Sequence, residues 1–320
     1  RQVYAIDQFV LKGGRAIVFL DPHSEYTVGL NQAMRRPDGG NLASGYEIKS
    51  LMDAWGVQMD MEKFVGDQTY SVKVNAASLG GNTAVDYLPW FQADERVISK
   101  DDVITAELKQ IFFASSGSLT ATKDVKTKLT PLITSSSKSA LQDLKLISSR
   151  PNPIAVLEAF KPDDMRHVLA ARVQGPVSTA FPNGPPELKN EKNEDRAKVV
   201  KAQLKVSKEP VNLIVVADTD MLADRFWTQT QDFFGRSMVI PTSHNGDFVT
   251  NAVDNLTGSN ALISLRSRGA SARPFHVVAE IQKAAEFRYR KTEKSLRDKM
   301  GELETKLSGL QKQTSGTGTF

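Results

Sequence analysis

The sequence contains no cysteine. Disulfides, thiolate zinc sites, iron–sulfur clusters and cysteine nucleophiles are therefore excluded. A chain without thiols also fits an oxidising compartment. Histidine is scarce too, with 4 among 320 residues, which argues against a histidine-rich metal centre. No window reaches the ~20 apolar residues that a membrane helix needs, and no signal peptide is visible. A large charge of one sign is also missing. Lys plus Arg (41) and Asp plus Glu (37) leave +4, too little over this length for a nucleic-acid footprint. The usual enzyme signatures are absent as well: no Gly-x-Ser-x-Gly elbow, no phosphate loop, no Gly-x-Gly-x-x-Gly after a strand, no His-Glu-x-x-His. Gly13-Gly14 precedes its apolar run and reads as a helix stop.

What is present is an alternation of apolar runs and helical stretches. Ala16–Leu20, Leu129–Ile133 and Val211–Ala217 are continuous apolar runs, the pattern of strands buried on both faces. Ile48, Leu51, Met52 and Trp55 have helical spacing and stop at Gly56, while Tyr70, Val72 and Val74 alternate like a half-buried strand. Met221–Phe234 carries Leu222, Phe226, Trp227, Phe233 and Phe234 and reads as a helix on a sheet. Phe248 to Leu256 forms an amphipathic helix closed by Gly258. The expected fold is α/β, a mostly parallel, doubly wound sheet with helices on both faces, plus a long C-terminal helix. The three apolar runs are expected side by side in that sheet. Residues 1–273 are expected to form the α/β domain, with 176–210 as a surface excursion or flexible loop rich in Pro and charge, and 274–320 the helix with its coiled-coil-like seam and Ser/Gly/Thr tail. The helix at residues 3–10 starts without a cap, and the last helix leads to nothing. Both features are expected of a segment cut from a longer chain.

Candidate ligand or partner contacts fall at the ends of these elements, where doubly wound sheets bind ligands. They are Asp21, Ser135 and Ser136, Asp218 and Asp220, and the turn residues Asn245 and Asp247. A strand followed by Asp218-Thr219-Asp220 resembles the first motif of aspartate phosphatases. There one carboxylate attacks phosphorus, the second acts as acid, and magnesium lies between. That motif wants Thr or Val at its fifth position, where Leu222 stands. The plainer reading is that the two aspartates turn the chain and cap a helix. Arg266 and Arg268 could dock a carboxylate, an anionic lipid head or an acidic patch, or form surface ion pairs. Leu296, Met300, Leu303, Leu307 and Leu310 recur at spacings of four and three, a candidate helix–helix seam. No cofactor or metal is expected.

Three stretches carry a resemblance. They are Val215–Phe226 with its Ala-Asp-Thr-Asp core, Asn245–Ser259, and Leu262–Gly269 followed by a charged helix. With Tyr4–Gly14 and the Val-Phe-Leu-Asp-Pro strand end, the chain is similar to the auxiliary component of gliding-motility-type bacterial ABC transporters. The resemblance implies a domain on the periplasmic, extracytoplasmic face of the inner membrane, held by segments absent from this sequence. It also implies partners, an ABC transporter permease and its ATPase, and a fold akin to the glutamine-amidotransferase-like domain of intraflagellar-transport proteins. That fold catalyses through a cysteine, so no catalytic residue carries over. The expectation is a non-enzymatic accessory domain that binds a solute or a partner protein. The alternative is a magnesium-dependent, phosphate-handling hydrolase using Asp218 and Asp220.

Overall fold

Gly13 and Gly56, both at positive φ, end helices as their sequence positions predict; a strand follows Gly56 at once and begins at Ala16 after Gly13. The computed structural model describes residues 2–33, 46–75, 84–123, 125–148, 151–187, 193–233, 236–258, 287–301, 303 and 306. The chain divides into two units, Arg1–Gly269 and Ala270–Phe320. In chain order the first contains α1 (Gln2–Leu11), β1 (Ala16–Phe19), α2 (Glu25–Ala33), α3 (Tyr46–Trp55), β2 (Val57–Met59), β3 (Lys63–Asp67), β4 (Ser71–Asn75) and β5 (Ala84–Asp94). There follow β6 (Gln110–Ala114), β7 (Leu119–Ala121), β8 (Lys128–Thr134), β9 (Ser139–Asp143), α4 (Lys145–Ser148), α5 (Pro153–Ala159), β10 (Val168–Gly175) and α6 (Asn193–Ala202). Last come β11 (Val211–Val216), α7 (Asp224–Trp227), β12 (Thr228–Phe233), β13 (Arg236–Pro241) and α8 (Asn245–Thr257).

The main sheet has the order β1-β11-β10-β7-β2, with β8 also on β10. All three apolar runs lie in it, but the parallel doubly wound arrangement is wrong. Among the described residues only β1 and β11 pair in parallel. β10 lies between β11 and β8 and is antiparallel to both. β7 on β10 and β2 on β7 are antiparallel too, as are the smaller groupings β4-β5-β6, β3-β9 and β12-β13. A continuous apolar run records burial on both faces and says nothing of strand direction.

That burial is seen along β11. Ile214 and Val216 join one apolar cluster with Phe113, Phe248 and Ala252. Leu213, Val215 and Ala217 join another with Val10, Leu11, Leu51 and Trp55. Alternate side chains thus serve opposite faces, and each such burial stabilises by roughly 1.5–3 kcal/mol. Arg172 interrupts the apolar sequence of β10. It is satisfied by a two-pronged ion pair to Asp102, at 2.6 Å from Nε and 2.9 Å from Nη2, and by Asn212 at 2.9 Å.

Met221–Phe234 is not one helix. A short 3-10 turn, Asp220–Leu222, leads to the four residues of α7 and then to β12. Phe226 stacks on Phe112 and meets Trp90 edge-on, 5.4 Å between ring centroids, so its partners are aromatic rings rather than the next helical turn. The 176–210 segment contains α6, which buries no residue. Glu194 and Asp195 in its first turn and Lys201 in its last suit the helix dipole. In the second unit, residues 287–301 are helical.

Candidate functional site

Because β1 and β11 run in parallel, Phe19 opposite Val216, their carboxyl ends reach the same edge together. Each strand is followed at once by acidic residues. Asp21 comes from β1, and Asp218 and Asp220 from β11. One carboxylate oxygen of each lies within 4.8 Å of the others, the one such acidic group among the described residues. The sheet therefore assembles the three aspartates that the sequence marked at these strand ends.

All six carboxylate oxygens are occupied by protein donors. Asp218 accepts from the Ala114 N–H at 2.6 Å on Oδ2 and from the Met221 N–H at 3.0 Å on Oδ1. It thereby ties the end of β11 to β6 and to the following turn. Asp21 accepts from the His23 N–H at 2.8 Å on Oδ1, and from the Thr219 N–H (2.9 Å) and hydroxyl on Oδ2. Asp220 caps α2. Its Oδ1 accepts from the Tyr26 N–H and the Ser24 hydroxyl, both at 3.0 Å, and its Oδ2 from the Glu25 N–H at 2.6 Å. The helix it caps is not the one that follows it in sequence but one that begins some two hundred positions earlier.

The electrostatics follow from three acids gathered out of water. Burial, then the Asp220 charge, push the Asp21 carboxyl up to about 7. Asp218, wholly buried, is raised well above the carboxylate range by burial, then by Asp21 and Asp220. Asp220 is raised by burial, against the pull of its capping hydrogen bonds and of Arg225. Glu25 extends the group. Burial raises it, although it accepts from the Trp90 indole N–H at 2.7 Å and from the Ser115 hydroxyl. Burial lowers His23. Arg225, over the rings of Phe226 at 4.4 Å and Tyr26 at 5.8 Å, partly offsets the negative charge of Asp220 and Glu25. Chemically the trio offers hard oxygen ligands of the kind magnesium and calcium take. Every one of them is already oriented by a donor from the protein.

This geometry sits inside a segment with a recognisable ancestry. A family model described as ABC-type uncharacterized transport system, the auxiliary family, matches residues 1–252. The chain belongs to this family. It is an auxiliary component of an ABC-type transport system, and association with such a system follows from that membership. No curated protein matches the chain. The matched segment of this auxiliary component includes the aspartate trio and ends within α8.

The other candidates are not part of the trio, although Asn245 and Asp218 share Met221 as a partner. Ser136 donates from its N–H and hydroxyl to Asp67, at 2.6 and 2.8 Å, and Ser135 bonds Ser139 and the His167 N–H. That is a second buried polar node, in which burial raises Asp67 against its Ser136 bonds. Asn245 is buried and fixes the start of α8, bonding both backbone groups of Phe112 and the Met221 carbonyl. Asp247 is exposed in the first turn of α8. Arg266, Arg268, Leu307 and Leu310 lie outside the described residues. Leu296, Met300 and Leu303 are 57%, 61% and 61% exposed.

Sequence reasoning missed Glu25, Trp90, Ser115 and Arg225. A local signal existed for the first. The Thr27 N–H bonds the Ser24 hydroxyl, so Ser24 is a helix cap, and a Ser directly after Asp-Pro-His places Glu25 in a first helical turn. Trp90, Ser115 and Arg225 reach the site through strand pairing and a four-residue helix that no local pattern announces.

Proposed function

We propose that this auxiliary component is a non-enzymatic accessory domain on the extracytoplasmic side of the membrane. It contributes protein contacts to the permease of its transport system and associates with the ATPase through that permease. The observation that carries the reading is the state of Asp218. A carboxylate that attacks phosphorus must reach it, and Asp218 is 0% exposed with both oxygens accepting backbone N–H bonds. Leu222 at the fifth position of the Asp-x-Asp stretch and the absence of any cysteine support the same reading. The extracytoplasmic placement is supported by the resemblance and by that cysteine-free composition. The test is purification of the protein with its native membrane segments, followed by identification of co-purifying proteins. Recovery of a permease and an ATPase is the expected result.

A second reading is favoured by one observation, the three carboxylates within 4.8 Å. It makes the protein a magnesium-dependent hydrolase of phosphoesters. A phosphatase screen with magnesium separates the two. No turnover is expected, and turnover that disappears in Asp218→Asn would replace the accessory reading with the enzymatic one.

A further inference from the structure

The helix of the second unit carries exposed apolar side chains among its described residues. Leu296, Met300 and Leu303 are each more than half exposed. Their spacing of four and three continues in the sequence to Leu307 and Leu310. In the heptad pattern of the sequence Leu296, Leu303 and Leu310 fall at d and Met300 and Leu307 at a, Leu307 and Leu310 lying outside the described residues. The preceding a position is Glu293, which pairs with Arg297 at 3.0 Å on the helix surface, so the apolar seam begins at Leu296.

We propose that this seam pairs with the same seam of a second copy of the chain, in parallel and in register. The charges beside the seam choose the occupant and its direction. In a parallel pair, each g residue faces the e residue of the next heptad on the partner. Here g is Lys299, exposed, and that e position is Glu304. A parallel homodimer therefore forms the Lys299–Glu304 pair twice, once on each side. In an antiparallel pair g faces g and e faces e, so repulsion between Lys299 and Lys306 offsets the attraction of Arg297 for Glu304 and the flanking charges give no net gain. The stripe is also only two residues wide per heptad, which suits one partner helix and not the broader face of a globular core. About two heptads give a weak association, so trapping is a better readout than mass.

The absence of native cysteine makes the experiment clean. In the full chain, Leu303→Cys places one thiol at a d position, and a mild oxidant joins two such thiols as a disulfide only where the seams meet in register. Asp298→Cys, on the outer f position, reports random collision. The expected result is a covalent dimer for Leu303→Cys and little for Asp298→Cys. Adding Lys299→Glu to Leu303→Cys should weaken association about tenfold, two attractive pairs having become repulsive. Glu304→Lys on top of that should restore it. Equal cross-linking at 298 and 303, a higher yield with Lys299→Glu, or no cross-link at 303 would each overturn the proposal. The last would assign the seam to a helix of another protein.

Discussion

Asp220 holds the first turn of a helix 194 residues away, accepting the Tyr26 N–H at 3.0 Å and the Glu25 N–H at 2.6 Å. An Asp-x-Asp stretch that looks like a nucleophile and its acid is, on this geometry, a cap and a tie. Asp218 secures the end of β11, Asp21 secures Thr219, and Asp220 secures α2. The acids are gathered because the parallel pair β1 and β11 ends at one level. The donors offset only part of the cost: burial raises all three carboxyls, and mutual repulsion adds to the rise at Asp21 and Asp218.

Removing the cap should therefore cost stability. Asp220→Ala is expected to lower the unfolding free energy by about 1–2 kcal/mol, the usual loss for a helix cap. Asp220→Asn keeps one acceptor oxygen and removes the charge, so its loss should be smaller. Urea unfolding followed by circular dichroism gives the ranking. An equal loss for both would mean that the charge, and not the cap, is what matters.

The raised carboxyls make stability depend on pH. An acid whose folded value lies above its unfolded value binds more protons when folded, so its stabilising contribution is present at low pH and lost as pH rises through the folded value. For Asp21 the window runs from 3.8 to about 7. Asp218, Asp220 and Glu25 act in the same direction. His23, lowered by burial, acts in the opposite one as pH falls through its ordinary 6.5. Four acids outweigh one histidine, so the unfolding midpoint should be higher at pH 5 than at pH 7.5. Asp21→Asn should flatten that difference. A slope that Asp21→Asn leaves unchanged would show that the trio is not its source.

The Arg172–Asp102 pair in the main sheet should be costly to halve and cheaper to replace. Burial alone would raise Asp102, but the Arg172 hydrogen bonds and charge hold its carboxyl below the usual range. Arg172→Ala leaves that carboxylate without its partner and should destabilise by roughly 3 kcal/mol or more. The double change Arg172→Met with Asp102→Leu should recover much of the loss, because it removes both charges and fills the space. Unfolding curves of the two variants give the comparison, and a double variant no better than the single one would contradict it.

Much of the element content was legible locally. The stops at Gly13, Gly56 and Gly258, the amphipathic α8 and the presence of strands at β1, β8 and β11 follow from spacing and glycine alone. Of the three strands, however, only β11 is buried along nearly its whole length, β1 being half-buried and β8 buried only at Leu132 and Ile133. Local patterns failed where partners decide conformation. β12 lies in a stretch whose aromatic residues suggested a helix, yet Thr228 to Phe233 pair with β13 across a hairpin. β3, β7 and β9 are three to five residues long, too short for their alternation to stand out.

The sequence by itself determined which apolar runs become strands of the main sheet, where helices stop, and that acidic residues follow two of those strands. It also excluded thiol chemistry, because no folding can supply a missing cysteine. Only the tertiary structure decided strand direction, since β10 enters antiparallel between β11 and β8, and apolar character is the same in either direction. It also decided what the aspartates do. A carboxylate's role depends on the donors that reach it, and those of Asp218 and Asp220 come in part from Ala114, Glu25 and Tyr26, distant in sequence and brought close by strand pairing.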